Sequence, residues 1–330
     1  MKITPYADSI ISLLPPLWEQ SGEEHLMKQA ILTVLSRLTN AMKADSRVYH
    51  SQFLPIIRSS IEPGSDTQVY LLEDALDLWS SILAQTPSAP EPAPPDLLSL
   101  LPHLLPLFSL GTDTLRKSLE ITESYLLLSP ATVLADNFRN ALLASLAELL
   151  GNLKPDANGI VTHLVECVVR GASGFGGEPA VQVLVGDMLS SSFLAKLLAG
   201  LHGGWQLHQS HGPNRSAPDH AVDGVVETDY FSVLARIGLA SPRVLLDAIA
   251  SVSSAGGARV EATLDWLLEE WFGHFENIGD GPSRKLGALT LTRLLELAQP
   301  WILGRLQSLM TMWTDVVSEL TDGLDDKSAE

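Results

Sequence analysis

Apolar residues recur at spacings of three and four from one end of the 330-residue chain to the other, and alternation with period two is nearly absent. This spacing excludes a sheet-based fold and predicts an all-α chain. Helices are expected at 5–19, 24–43, 46–61, 66–86, 95–109, 112–128, 130–151, 156–170, 178–202, 227–239, 242–254, 257–278, 282–298 and 299–321. The connections between them are short, as between antiparallel neighbours.

Successive segments share a grammar. "PDLLSLLPHLLPLF" precedes "TDTLRKSLEITESYLLL", and "VEATLDWLLEEWFGHF" precedes "PSRKLGALTLTRLLEL". Each Leu-rich first helix is followed by one that opens on Ser or Thr near a basic pair, Arg116-Lys117 or Arg284-Lys285. The pair recurs every ~35–50 residues, the period of HEAT-type repeats, which predicts an α-solenoid of about seven HEAT-like antiparallel helix pairs, an armadillo-like superhelix. It is expected to run as one continuous array over 1–330, because such a pair buries its apolar stripe only against its neighbours. Two connections depart from the pattern. "TPSAPEPAPP" (86–95) is a proline-rich loop, read as a stiff spacer in preference to a ligand for a proline-recognition module. "HGGWQLHQSHGPNRSAPDHAVDG" (202–224) is the longest polar stretch and places a flexible insertion at 203–225.

Composition excludes several function classes. With 21 basic and 39 acidic residues the formal charge is −18, which repels phosphate backbones and attracts basic proteins, so no direct nucleic-acid ligand is expected. The one cysteine, Cys167, allows neither an intramolecular disulfide nor a cysteine-rich zinc site, which fits a reducing compartment. The most lipid-like run, Asp96 to Leu110, is short and interrupted by Pro102, His103 and Pro106; it reads as a core helix, with no membrane insertion. The N-terminus shows no targeting peptide.

Motifs that could carry chemistry are weak. "GASGFGGE" (171–178) lacks the Lys-Ser/Thr of a phosphate loop and follows a helix, so it reads as a flexible turn. His202, His208, His211 and His220 could supply nitrogen ligands, but without ordered helical spacing a solvated loop is the preferred reading, and no metal or other cofactor is expected. Asn214-Arg215-Ser216 matches a glycosylation sequon that a reducing compartment would leave unused. His163 lies one turn before Cys167, which makes a Cys–His pair conceivable; a buried thiol beside a surface histidine is the commoner arrangement. No catalytic residue is assigned and the chain is read as non-enzymatic.

Carboxylates form a recurrent stripe. In "VYLLEDALDLWSSIL" (69–83), Glu73, Asp74, Asp77, Ser80 and Ser81 are expected to share a solvent sector, with Val69, Leu72, Leu76, Trp79 and Leu83 opposite. Glu120 and Glu123 mark another helix. Glu261, Asp265 and Glu269 stand at i, i+4 and i+8 on the helix that carries Trp266 and Trp271. Facing solvent, such groups have nothing to raise a pKa for acid catalysis, so they form a binding surface or a solvated face.

Four stretches, "VYLLEDALDLW", "LPPLWEQSGEEHLMKQAILTVLSRL", "LRKSLEITESYLLLSP" and "RKLGALTLTRLL", together resemble the C-terminal repeats of importin-beta-type nuclear transport receptors (karyopherins), specifically the importin-eleven branch and its fungal counterparts. The match spans most of 1–200 and 257–320; the insertion, the proline-rich loop and the register of 227–254 depart from it. The resemblance implies that the chain is a C-terminal fragment of a longer receptor and a cargo-binding segment. It further implies Ran-GTP control through repeats this fragment lacks, nucleoporins as further partners, and shuttling between cytoplasm and nucleus through the pore. Basic cargo such as ribosomal or ribosome-biogenesis proteins would meet Glu73, Asp74, Asp77, Glu120 and Glu123, with Glu261, Asp265 and Glu269 as a secondary acidic surface. The rival reading is a structural HEAT scaffold with no transport role.

Overall fold

The computed structural model describes residues 4–88, 93–150, 152–209 and 221–328, and among them every regular element is helical. The α-helices are α1 (Thr4–Gln20), α2 (His25–Met42), α3 (His50–Ser60), α4 (Asp66–Ala84), α5 (Pro95–Leu98), α6 (Thr112–Leu128), α7 (Pro130–Val133), α8 (Asp136–Leu149), α9 (Pro155–Ser190), α10 (Phe193–Gln209), α11 (Gly224–Ala240), α12 (Pro242–Ala255), α13 (Val260–His274), α14 (Gly281–Arg293), α15 (Pro300–Leu303) and α16 (Leu306–Ser328). Two compact units, Met1–Phe138 and Arg139–Glu330, divide the chain. Among the described residues no single helix is long and apolar enough to cross a membrane.

In the first unit the second helices of successive pairs, α2, α4 and α6, pack side by side in that order, while α3 packs on both α4 and α5. This is the stacking that the repeat period implies, and the fold class is an all-α solenoid of HEAT-like pairs. α4 starts where Ser65 Oγ accepts from Gln68 N at 3.1 Å and Asp66 occupies the first turn, both favourable to the positive end of a helix. Its Leu71, Ala75, Leu78, Trp79 and Ile82 are fully buried. The Leu-rich run 96–110 is core as expected but is not an α-helix. After α5 it continues as a 3₁₀ helix, Leu101–Ser109, because Pro102 and Pro106 offer no N–H for α-helical bonds.

A buried hydrogen-bond relay ties three of these elements together. Trp79 Nε1 donates to Tyr125 Oη at 2.9 Å, and Tyr125 Oη donates to the Leu97 carbonyl at 2.7 Å. Both rings are inaccessible to solvent and meet edge to face with centroids 6.1 Å apart. Burial pushes the Tyr125 phenol well above its ordinary pKa, so it stays a neutral donor.

In the second unit α9, α11, α14 and α16 succeed one another, with α10, α12 and α13 packed beside them. The buried Thr290 Oγ1 of α14 donates to the Ala235 carbonyl of α11 at 2.8 Å, and Arg293 donates to the Leu239 carbonyl. The break expected between two helices at 171–178 is present but shorter: α9 is helical through Gly176 and kinks at Gly177 (φ 64°, ψ −155°), two residues before Pro179, where a second helical segment begins. Glycine tolerates that φ, and proline cannot continue the preceding hydrogen-bond ladder. The N–H groups of 171–176 are therefore committed to the helix that precedes the kink.

The expected insertion at 203–225 is also narrower. Gly203–Gln209 complete α10, and Gly224 opens α11, whose N-cap Asp223 accepts from Val225 N and Val226 N at 3.1 and 3.0 Å. Residues 210–220, with His211, His220 and the sequon, lie outside the described residues, as do 89–92 of the proline-rich loop.

Two stability predictions follow from this packing. Tyr125→Phe leaves the Trp79 N–H and the Leu97 carbonyl unpaired in a dry core and should cost about 2–3 kcal/mol in urea unfolding; a loss below ~0.5 kcal/mol would mean the relay contributes nothing. The second concerns His50, which burial, aided by the nearby Arg47 charge, lowers from 6.5 to about 4. Its Nε2 is 3.0 Å from Ser46 Oγ, which itself donates to the Lys43 carbonyl and so accepts from the neutral imidazole. The unfolded chain takes up this proton first, so the stabilisation is complete above pH 6.5 and is lost as pH falls towards 4. His50→Gln should flatten the pH dependence of stability in that window by about 2 kcal/mol, with unchanged slope as the contrary result.

Candidate functional site

The acidic face of the first unit is built on α4 and α6, adjacent second helices. Glu73 and Asp77 lie one turn apart on α4 with side chains 78% and 56% exposed. Lys117 of α6 reaches across to them: its Nζ donates to Asp77 Oδ1 at 2.6 Å and is 3.5 Å from Glu73 Oε1. Partial burial pulls the Lys117 pKa down, but the hydrogen bond and charge of Asp77, with Glu73, outweigh it and leave the ammonium above its ordinary value. Glu120 is exposed one turn beyond Lys117, and Glu123 is half-buried on the same helix.

The stripe on α4 differs from its expected composition at three positions. Asp74 is half-buried and turned to α2, where Thr33 Oγ1 lies 3.3 Å from its Oδ1. Ser81 is buried rather than exposed: Asn40 Nδ2 donates to it at 2.9 Å and Ser36 Oγ is also 2.9 Å away. Val69, expected on the buried side, is 79% exposed. Helix geometry accounts for all three, since at ~100° per residue Val69 stands only ~40° from Glu73, whereas Asp74 and Ser81 turn ~80–100° the other way. A helix flanked by neighbours on two sides keeps only a narrow wet arc.

Between α4 and the start of α6 lies an open groove of about 480 Å³, lined by Val69, Leu72, Glu73, Leu110, Asp113 and Lys117 among others. Its lining mixes apolar side chains with polar ones, and a lysine or arginine could lay its aliphatic stem along Val69, Leu72 and Leu110 with its charged head at Glu73 or Asp113. The secondary surface sits in the other unit on α13, where Glu261, Asp265 and Glu269 are all exposed, as expected. Asp265 Oδ1 accepts from Arg305 Nη2 at 2.9 Å, and Glu269 Oε2 accepts from Trp205 Nε1 at 3.2 Å.

Other candidates take different places. Cys167 is half-exposed rather than buried, with Sγ 3.7 Å from His163 Nε2. His202 packs against Trp205 and Trp266, with ring centroids 5.6 and 4.8 Å away, and its burial lowers its pKa. His208, on the last turn of α10, contacts Glu270 instead of standing in a loop. The sequence reading missed Glu227 and Glu270, both buried. Their signal was present: each falls on an apolar arc, Glu227 one turn from Tyr230 and Phe231, and Glu270 one turn from Leu267.

The stacked antiparallel pairs define an α-helical repeat protein. An engineered protein known from its crystal structure shares the fold, with a TM-score of 0.53 and 13% identity over 87% of this chain and 96% of that one. A family model for importin-11-like TPR repeats matches residues 29–330, and the chain belongs to that family of nuclear transport receptors, which are not enzymes. It is 27% identical to human importin-11 over 295 residues, covering 89% of this chain and 27% of that protein. With the importin beta-like protein kap113 of Schizosaccharomyces pombe it shares 27% identity over 320 residues, covering 97% and 29% respectively. KAP120 of Saccharomyces cerevisiae, also importin beta-like, is 21% identical over 336 residues, covering 95% and 31%. The chain thus spans under a third of the length of these relatives.

The Lys117 bridge is partly exposed, so it should contribute little to folding. Lys117→Ala is expected to change stability by about 0–1 kcal/mol in urea unfolding, and a loss above ~2 kcal/mol would make the bridge a structural element.

Proposed function

We propose that this chain is a cargo-binding segment of a nuclear import receptor, and that its α4–α6 face receives basic protein cargo, ribosomal or ribosome-biogenesis proteins being the expected class. The observation that carries this reading is the placement of Glu73, Asp77 and Glu120, exposed, on two adjacent second helices beside an open groove of mixed apolar and polar lining. Family membership supplies the transport context. Ran-GTP control, nucleoporin contacts and shuttling between cytoplasm and nucleus belong, in this proposal, to the longer receptor.

Lys117 shapes how such a face works. It neutralises part of the α4 pair in the free protein, so cargo lysines and arginines must compete with an internal cation already in place. Single exposed ion pairs contribute only about 0–1 kcal/mol, so the face acts collectively and mainly by steering association.

Reversing Glu73, Asp77, Glu120 and Glu123 to Lys together should weaken binding of a basic cargo at least tenfold at low salt and flatten the salt dependence of its affinity. Circular dichroism should be unchanged, because none of the four replaces a fully buried side chain. Equal affinity and equal salt slope in a folded quadruple variant would reduce these carboxylates to a solubility face. In the intact receptor, cargo that Ran-GTP fails to elute would favour the scaffold reading instead.

A further inference from the structure

The second unit contains a polar cluster that the acidic face does not use. Glu227 of α11 is 1% exposed, and neither carboxylate oxygen has a hydrogen-bond partner among the described residues. His274 Nδ1 lies 3.1 Å from its Oε2, near enough for attraction but not aligned for a hydrogen bond. On the other side stands Glu270 of α13, 6% exposed, with Oε1 2.7 Å from His208 Nδ1 of α10. One ligand atom each from His208, Glu227 and Glu270 falls within 4.8 Å of the others. Space for Glu227 is created by Gly204, where a Cβ would come within 1.9 Å of Oε1.

Two buried carboxylates side by side are costly unless positive charge is supplied. His274 is the imidazole beside Glu227, but its 3.1 Å contact is not a hydrogen bond and leaves that carboxylate unsatisfied. Thr228 Oγ1 lies 2.8 Å from His274 Nε2 and 3.1 Å from the Gly224 carbonyl, so the Nε2 side of that ring is already engaged within its own pair of helices.

We propose that Glu227, Glu270 and His208 form a binding site for one divalent transition cation, with His274 placed at its edge. A dication balances the two carboxylates without charging either imidazole. An imidazole with two carboxylates suits zinc or another first-row dication, ligated at about 2.0–2.2 Å after small side-chain rotations. The His208 side chain is 54% exposed, so the ion enters from that side. The site joins α10, α11 and α13, three helices of one unit, and its occupation would pin them to one another.

The test is a zinc titration of the 330-residue chain, with zinc content measured after desalting and Co²⁺ absorption as a second readout. Wild type should retain one zinc per chain and show a zinc-dependent rise in Tm. His208→Ala and Glu270→Gln should each weaken zinc affinity at least tenfold and abolish the rise, whereas Glu276→Gln, an exposed carboxylate nearby, should change neither. If Glu270→Gln does not fold, His208→Ala decides alone, since it removes a half-exposed side chain and leaves Glu227 and His274 in place. Failure of wild type to retain zinc would overturn the proposal. So would retention that survives the ligand substitutions.

Discussion

Everything in this molecule follows from one constraint: a pair of antiparallel helices cannot cover its own apolar stripe. α4 shows how the constraint acts. α3 covers one side of it, while α2 and α6 flank it, and only a narrow arc containing Val69, Glu73, Asp77 and Ser80 remains for solvent. That arc can be spent on binding because the rest of the helix already secures its position. The same geometry sets which residues become functional, since a side chain some 80° off the arc, like Ser81, is absorbed into the contact with α2.

Sealing between repeats is not purely apolar. Trp79, Tyr125 and the Leu97 carbonyl make a directional connection inside the core, and the Asn40–Ser81–Ser36 contacts make another at its edge. Dispersion and hydrophobic burial tolerate sliding of one helix along the next; hydrogen bonds in a dry interior do not, because a small shift leaves a donor unpaired. The relay therefore fixes the register of α4 against α6, and with it the distance across which Lys117 reaches Asp77.

The existence and order of the helices were legible from apolar spacing alone, and most boundaries agree within a few residues. What periodicity missed was local chemistry. Pro102 and Pro106 turned an apparent core helix into 3₁₀ structure; the glycines of 171–178 looked like a turn although only Gly177 breaks the helix. The exposed residues Glu73, Asp77, Glu261, Asp265 and Glu269 were legible because exposure of a charged side chain is the default outcome. Glu227 and Glu270 were not, because a carboxylate on an apolar arc has meaning only when the groups facing it, His208 and His274, are known, and these come from other helices. Asp74 was misassigned for a related reason: its neighbour Thr33 is 41 residues away.

Gly204 carries a consequence for how this unit can vary. Its missing side chain is the volume into which the Glu227 carboxylate projects, so the two positions are not independent. A side chain at 204 would push the Glu227 carboxylate out of this rotamer and away from Glu270 and His208, and a shorter residue at 227 no longer needs glycine at 204. The two positions are coupled in one direction: shortening 227 relieves the constraint on 204, whereas a side chain at 204 displaces the carboxylate at 227, and a variant library covering both should show non-additivity between two residues that no motif connects.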